Sequence, residues 1–209
     1  MFAADDNGRV PVVAVSGTNG KTTTTSLTAH LIAQTGKRIG MTTTDGVYAN
    51  GRLIDTGDCS GPRSARNVLG HPDVDAAVLE TARGGILREG LGFDRCDVAV
   101  ITNIGEGDHL GMNFINTSAE LAAVKRVIVQ NVSAEGTAVL NAADPLVARM
   151  ARYCTGNVTF FAGQSAAHPV MAKHRAQGHR VIYRDNGEII AAQGKSMFRL
   201  PLKDIPLTD

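Results

Sequence analysis

A strand that runs directly into a glycine-bracketed loop constrains the fold of this chain more than any other feature. Residues 10–16 are apolar and mostly β-branched, which predicts a buried strand. Gly17 and Gly20 follow, and they let the backbone turn so that consecutive N–H groups face inward. Lys21 and Thr22 then open a predicted helix, whose N-terminus adds the positive end of its dipole. This order predicts a phosphate-binding loop, with Lys21 on the β- and γ-phosphates and the Thr22 hydroxyl on Mg²⁺.

The loop is a shortened form of the usual pattern, because Val15 stands where that pattern has its first glycine. The residues expected to surround the phosphates are Gly17, Thr18, Asn19, Gly20, Lys21, Thr22 and Thr23. The alternative is an ordinary strand-to-helix turn that contains Gly-Lys-Thr by chance. The predicted strand before the loop and the predicted helix after it favour the phosphate site.

Strands and helices are predicted to alternate along most of the chain. Apolar runs predict strands at 76–79, 98–101, 137–140 and 158–161, and helical spacing predicts helices at 21–34, 62–69, 118–130, 144–150 and 169–176. In the first of these helices, Leu27, Leu31 and Ile32 are predicted to share one face. This order implies an α/β fold, a P-loop-type and mostly parallel sheet flanked by helices.

The pattern of predicted secondary-structure elements changes after Gly163. Short strands are predicted at 180–183, 188–192 and 196–200, with Asn186-Gly187 as a hairpin turn. We therefore expect a core over residues 10–163 and a small antiparallel sheet within residues 164–209 near the C-terminus.

Composition argues against several classes of protein. The chain has 209 residues, 43% of them hydrophobic and 20% charged, which suits one large α/β domain. A net charge of +1 and the absence of Trp argue against nucleic acid or a membrane surface as a partner. No apolar run suggests a signal peptide or a membrane span, and the three cysteines form no Cys-x-x-Cys pair. The sequence thus predicts a reduced, cytoplasmic protein that binds small molecules, and it leaves a homo-oligomer open.

Polar residues follow several of the predicted strands, at the edge where an open parallel sheet collects ligands. They are Thr42 to Thr44, Glu80, Asn103 and the Asp108-His109 loop. Glu80 ends an apolar strand, so its carboxylate is a candidate Mg²⁺ ligand, and the alternative is an ion pair with Arg83 or Arg88. His109 lies in a glycine-flanked loop that suits ligand contact, or it is an exposed loop histidine.

Two basic residues are ambiguous from the residues alone. Lys125 lies in a mostly apolar helical run, which favours a side chain that extends along the helix to the surface. Arg83 begins an Arg-Gly-Gly turn that either binds an anionic substrate or only forms a loop.

Six separated segments resemble the ATP-dependent Mur ligase family and, within it, the Mur-ligase-like half of cyanophycin synthetases. The segments are 17–23, 42–48, 57–65, 79–87, 103–111 and 141–145. The resemblance implies that residues 1–209 form the family's central ATP-binding domain, without its C-terminal Rossmann-like domain or the ATP-grasp half. The family's Asn-Ala-Asp-Asp run is Asn141-Ala142-Ala143-Asp144 here, so one carboxylate is missing.

The resemblance also implies roles for single residues. Lys21 would contact the phosphates of ATP, Thr22 and Glu80 would bind one Mg²⁺, and His109 a second. Lys125 falls where family members carry a carbamylated lysine that binds metal. The implied catalytic residues are Lys21, Glu80, His109 and Lys125, with Asn141 added to the nucleotide site and Thr43, Thr44, Ser60 and Arg83 implied for the substrate.

The activity implied is amide ligation, in which ATP converts a carboxylate into an acyl phosphate that an amino-acid amine attacks. For a cyanophycin-like enzyme, arginine would be added to aspartate side chains of a polymer. The alternatives are a family member with a peptidoglycan or folate-type acceptor, and a truncated module that binds ATP without ligating anything. A GTPase or kinase is a further alternative, although the guanine-reading Asn-Lys-x-Asp run is absent from the sequence.

Overall fold

The computed structural model describes residues 8–105, 110–163 and 168–205. The strands in these ranges are β1 Val12–Ser16, β2 Ile39–Thr42, β3 Gly46–Ala49, β4 Arg52–Thr56, β5 Ala76–Glu80, β6 Cys96–Ile101, β7 Val132–Asn141, β8 Asn157–Ala162, β9 Arg180–Asp185, β10 Glu188–Gln193 and β11 Ser196–Pro201. The helices are α1 Lys21–Ala33, α2 Pro62–Leu69, α3 Arg83–Glu89, α4 Ser118–Gln130, α5 Pro145–Ala148 and α6 Pro169–Ala176. Short 3-10 turns occur at Met112–Phe114, Arg149–Tyr153 and Leu202–Asp204.

All the strands of the described residues belong to one sheet, in the order β11-β10-β9-β8-β7-β6-β1-β5-β2-β3-β4. From β9 to β2 the neighbouring strands are parallel, which confirms the predicted α/β fold with a mostly parallel sheet. Antiparallel hairpins extend the sheet at both edges. The hairpin turns at Asn50-Gly51 and Asn186-Gly187 have positive φ at both residues, as the Asn-Gly signal predicts. The antiparallel strands near the C-terminus continue the main sheet.

Alternate residues of the strands face two apolar clusters, because successive side chains point to opposite faces. On one face, Val15 and Val78 pack with Ala29 and Ile32 of α1. The other face carries the larger cluster, which includes buried residues of α2 to α6 and Leu140 of β7. Helices therefore cover both faces near β1, as predicted.

The predicted apolar face of α1 is wrong. Leu27 and Leu31 are 40% and 59% exposed, and the buried residues of the helix are Thr25 and Ala29. Only Ile32, of the three predicted residues, packs against the cluster. Small side chains at the interface let the helix lie close to the strands, which the spacing of large apolar residues does not reveal.

Local signals set most of the helix boundaries. Pro62 at the first position of α2 begins that helix where the sequence predicts, because its missing N–H costs nothing there. Thr117 and Glu120 form a capping box at the start of α4. Asp144 caps α5, which ends at Ala148 and continues as the 3-10 turn Arg149–Tyr153, so the helix predicted over 144–150 is shorter than expected. In the described part of the chain no helix is long and apolar enough to cross a bilayer.

Candidate active site

The loop between β1 and α1 has the backbone shape that its glycines predict. Gly17 has φ +143 and Gly20 has φ +81, a region that favours glycine. A Cβ on Gly17 would lie 1.9 Å from the Thr102 Oγ1 atom, whereas a Cβ on Gly20 would meet nothing within 4 Å. The helix that follows begins directly at Lys21. The loop is therefore in close contact with the end of β6 at Gly17. At Gly20 the loop is open to a ligand.

Hydrogen bonds from the end of β6 hold the loop in place. The Thr18 N–H donates to the Asn103 carbonyl at 2.9 Å, and the Asn19 N–H donates to the Asn103 side-chain oxygen at 3.0 Å. The Thr102 hydroxyl donates to the Asn19 carbonyl at 2.7 Å, and the Gly105 N–H donates to the Thr18 hydroxyl at 2.8 Å. The sequence predicts Asn103 at this edge, but its position after an apolar strand does not reveal its bracing role.

Three of the predicted site residues meet in one hydrogen-bonded group. The Thr22 hydroxyl donates to Glu80 Oε2 at 2.8 Å, and it lies 3.2 Å from the Thr44 hydroxyl oxygen. Glu80 is 2% exposed, and its second oxygen, Oε1, is buried without a hydrogen-bond partner in the described residues. The expected alternative, an ion pair of Glu80 with Arg83 or Arg88, is not formed, since the carboxylate's partner is Thr22.

This group has the donor set of a hard divalent cation. Mg²⁺ prefers carboxylate and hydroxyl oxygens, and a buried carboxylate oxygen without a partner is costly unless a cation or a donor reaches it. Thr22 and Glu80 therefore fit a Mg²⁺ ion. No group of three or more His, Cys, Asp or Glu side chains with metal-binding geometry occurs within the described residues, so substrate oxygens or water would have to complete the coordination.

Lys21 and Lys125 approach the loop from two sides. The Lys21 Nζ donates to the Thr18 carbonyl at 2.9 Å. Lys125 is 1% exposed, and its Nζ donates to the Gly17 carbonyl at 2.8 Å, so the expectation that this side chain reaches the surface is wrong. A buried ammonium needs polar partners, and the loop supplies one. Both amines thus lie beside the predicted phosphate site.

The residues implied for the substrate lie at the ends of β2 and β5. The Cys59 N–H donates to the Thr43 carbonyl, and the Ala82 N–H donates to the Ser60 carbonyl, so the segment before α2 crosses this edge of the sheet. Ser60 is buried, and its hydroxyl donates to Asp58. The Arg-Gly-Gly segment predicted as a turn instead begins helix α3, where Arg83 is buried.

Two polar residues, one at the end of β7 and one just after it, are used by the fold itself. Asn141 donates from Nδ2 to the Thr102 carbonyl at 2.8 Å and accepts from the Ala143 N–H, so both ends of its side-chain amide are engaged. One oxygen of Asp144 caps α5, and the other accepts from the Ile104 N–H at 2.6 Å. Asp144 thereby ties the end of β6 to α5, a role that sequence analysis did not predict. His109 falls outside the described residues.

Cys96 does not offer a nucleophile at this edge. Burial raises the pKa of the Cys96 thiol to about 12, which keeps it protonated at neutral pH. Cys96 also begins β6, at the opposite end of the strand from the loop.

Known proteins match this chain in sequence and in fold. A model of the Mur ligase middle domain matches residues 15–200. Cyanophycin synthetase of Crocosphaera subtropica is 47% identical over 209 residues, which are 100% of this chain and 24% of that protein. A cyanophycin synthetase of Geminocystis herdmanii is 46% identical and is covered to the same 24%. The chain thus spans about a quarter of the length of these curated relatives.

Solved structures share the fold at lower identity. A UDP-N-acetylmuramoyl-L-alanyl-D-glutamate--2,6-diaminopimelate ligase superposes with a TM-score of 0.68 and 21% identity, over 92% of this chain and 39% of that one. A bifunctional folylpolyglutamate synthase/dihydrofolate synthase, solved with Mn, AMPPNP and L-glutamate bound, gives a TM-score of 0.57 and 18% identity, over 97% and 52% of the two chains. With a family match over most of its length and this shared architecture, the chain belongs to the Mur ligase middle domain family.

Proposed function

We propose that this chain is the ATP-binding domain of an ATP-dependent amide ligase. The observation that carries the proposal is the phosphate loop with the Thr22–Glu80 pair beside it, where one buried carboxylate oxygen has no partner in the described residues. ATP is the nucleotide and Mg²⁺ the cation in this proposal. The family match and the likeness to nucleotide-bound ligases support both. Because the reaction consumes ATP, we expect it to take place in the cytoplasm.

The reaction joins a carboxylate to an amine. The terminal phosphoryl group of ATP is transferred to the carboxylate, giving ADP and an acyl phosphate; the amine then attacks the acyl carbon, and inorganic phosphate leaves. Such transfer depends mainly on positioning and charge neutralisation. Lys21 would hold the phosphates, and the N–H groups of the loop and helix start that do not donate to Asn103 would bind the phosphate oxygens. A bound Mg²⁺ would supply further positive charge at the phosphates.

We propose roles for the remaining residues on the same basis. Thr22 and Glu80 would hold Mg²⁺, and His109 a second ion. Lys125, already beside the Gly17 carbonyl, would bind metal after carbamylation, which turns its ammonium into an anion. The loop residues and Asn141 would line the nucleotide site. Residues proposed to contact the substrate are Thr43, Thr44, Ser60 and Arg83.

For the substrates, we propose arginine as the amine and the aspartate side chains of a polymer as the carboxylates. The identity to cyanophycin synthetases over the whole chain supports this choice. A peptidoglycan-type or folate-type acceptor is the alternative. A domain that binds ATP without ligating is the second alternative.

The proposal is tested by following phosphate release and product mass with ATP, Mg²⁺, arginine and an aspartate-rich peptide. The same assay is run with a peptidoglycan precursor and a folate acceptor. Arginine-dependent mass gain on the peptide supports the proposed substrates. Product with another acceptor reassigns the substrate, and nucleotide binding without any product favours the binding module.

Lys21→Ala tests the loop itself. We expect ATP affinity to fall by about 100-fold or more, because the substitution removes the positive charge proposed to hold the phosphates. Isothermal titration with ATP and Mg²⁺ measures this. Lys37→Ala is the matched control, since Lys37 is exposed just beyond α1 and its loss removes the same charge. Equal ATP affinity in the two variants would contradict the assignment of the loop.

A further inference from the structure

Three arginines and a tyrosine form a compact surface where α4 packs against the 3-10 turn Arg149–Tyr153. We call Arg126, Arg149, Arg152 and Tyr153 the arginine patch. The guanidinium carbon of Arg126 lies 4.1 Å from the centre of the Tyr153 ring, and that of Arg152 lies 4.7 Å from it. Arg152 also donates from Nη2 to the Tyr153 hydroxyl at 2.7 Å. Arg149 and Arg152 are three residues apart in a 3-10 turn, so they project from the same side.

The charge of this patch is not neutralised within the described residues. Arg9, Arg38, Arg63, Arg66 and Arg199 each form an ion pair with a carboxylate. No carboxylate of the described ranges pairs with Arg126, Arg149 or Arg152, and the Nε of Arg126 is buried without a hydrogen-bond partner there. The chain as a whole carries a net charge of only +1. The guanidinium groups of the patch therefore keep donors available to an anion.

The geometry of the patch selects the kind of anion. A guanidinium presents paired N–H donors that match a carboxylate, and stacking on an aromatic ring fixes its orientation. Because Arg126 and Arg152 contact the same ring, their guanidinium groups lie within about 9 Å of each other. Alternate side chains of an extended polypeptide are about 7 Å apart and point the same way, so two carboxylates on such a chain can reach both arginines.

We propose that the arginine patch binds an extended polypeptide rich in carboxylates, away from the reacting end. The choice of a polypeptide rests on the proposed function, in which the acceptor carries side-chain carboxylates. Helix α4 connects the two places, because Lys125 reaches the phosphate loop from the residue next to Arg126. A chain held at the patch would lie on the helix that also contributes to the proposed active site.

The test is direct binding of a fluorescent poly-L-aspartate peptide to the 209-residue chain, without nucleotide, by fluorescence anisotropy at low salt. The variant is Arg149→Gln with Arg152→Gln, which removes two exposed charges and leaves the stacked Arg126 and Tyr153 in place. We expect about tenfold weaker binding, and for the unaltered chain a marked loss of affinity as salt is added. The matched control is Arg184→Gln with Lys203→Gln, two exposed cations on β9 and in the turn after β11, which should bind as the unaltered chain does.

Two results would overturn the proposal. One is equal peptide binding by the patch variant and the unaltered chain. The other is tighter binding of a single-stranded oligodeoxynucleotide of equal charge, with the same loss in the patch variant, which would make the partner a nucleic acid. ATP affinity is measured on every variant and is expected to stay unchanged. If the proposal for the arginine patch is wrong, only the peptide-binding result disagrees with expectation. If the proposed function is wrong, the nucleotide-binding or ligation result disagrees.

Discussion

Gly17 and Gly20 are both needed in the phosphate loop, but for different physical reasons. At Gly17 the positive φ is combined with a neighbour, Thr102, that leaves no room for a Cβ. At Gly20 the backbone is left-handed but the surrounding space is empty. The first glycine therefore sets how closely the loop approaches β6, and the second only sets the direction of the chain.

Gly17→Ala should therefore do more damage than Gly20→Ala. The new methyl group would displace the loop from β6, so we expect ATP affinity to fall by about tenfold or more, together with a lower melting temperature. Gly20→Ala should cost about 1–2 kcal/mol of folding free energy from backbone strain. Isothermal titration and thermal unfolding measure the two effects. Gly163→Ala, where nothing lies within 4 Å and φ is not positive, is the control, and normal ATP binding by Gly17→Ala would count against the role of this close approach.

Sequence patterns located part of the candidate site and missed the rest for a physical reason. Thr22 and Glu80 follow strands, so the rule for parallel sheets brought them together, and the structure does so too. The buried state of Lys125 depends on a carbonyl 108 residues away in the chain. Local helical spacing carries no information about such a partner.

At the scale of single elements, local signals worked best where the element controls its own ends. The Asn186-Gly187 turn and Pro62 act within a few residues, and each lies where the sequence predicts. The Thr117 cap likewise acts within one turn of its helix. The buried face of α1 depends instead on how close the helix approaches the sheet. Thr25 and Ala29 permit that approach, so larger apolar residues of the same helix remain exposed.

The capping box of α4 predicts a pH dependence of stability. The Glu120 carboxylate accepts N–H groups from Asn116 and Thr117, and these bonds lower its pKa below the usual 4.5. A lowered pKa in the folded state means that the contribution is complete above the unfolded value and is lost as pH falls through the folded one. We expect Glu120→Gln to be less stable than the unaltered chain at about pH 6, and this difference to shrink below about pH 4.5.

Urea unfolding of both proteins across this range measures the effect. Glu135→Gln is the control, because Glu135 is an exposed carboxylate of β7 with no hydrogen bond or ion pair in the described residues. If Glu120→Gln stayed less stable than the unaltered chain by the same free energy in strong acid, that result would contradict the capping role of the carboxylate.

At the scale of the whole molecule, the order of the strands was not predictable from the sequence. Alternation of strands and helices indicates a parallel sheet, but β1 lies between β5 and β6, which are far from it in the chain. The strand order depends on how the helices that connect the strands pack on the sheet, which the sequence pattern does not reveal. It also joins the antiparallel strands β10 and β11, which the sequence predicts near the C-terminus, to the parallel strands.

One apolar cluster runs along the sheet from β3 to β10. A cavity at its centre should therefore destabilise the whole molecule in one transition. Leu140 of β7 is fully buried in this cluster. We expect Leu140→Ala to lower the free energy of unfolding by about 2–5 kcal/mol in a single transition. Chemical denaturation followed by circular dichroism measures it. Leu53→Ala, at a residue that is 52% exposed on the edge strand β4, should change little, and similar losses for both would contradict a continuous core.

The bracing of the phosphate loop by Thr102 and Asn103 also bears on the thermodynamics of ligand capture. Because these contacts order the loop when the polypeptide folds, its conformational entropy is already lost before any nucleotide arrives. Association then requires little rearrangement of the loop, so more of the intrinsic attraction between phosphate and backbone amides appears as affinity.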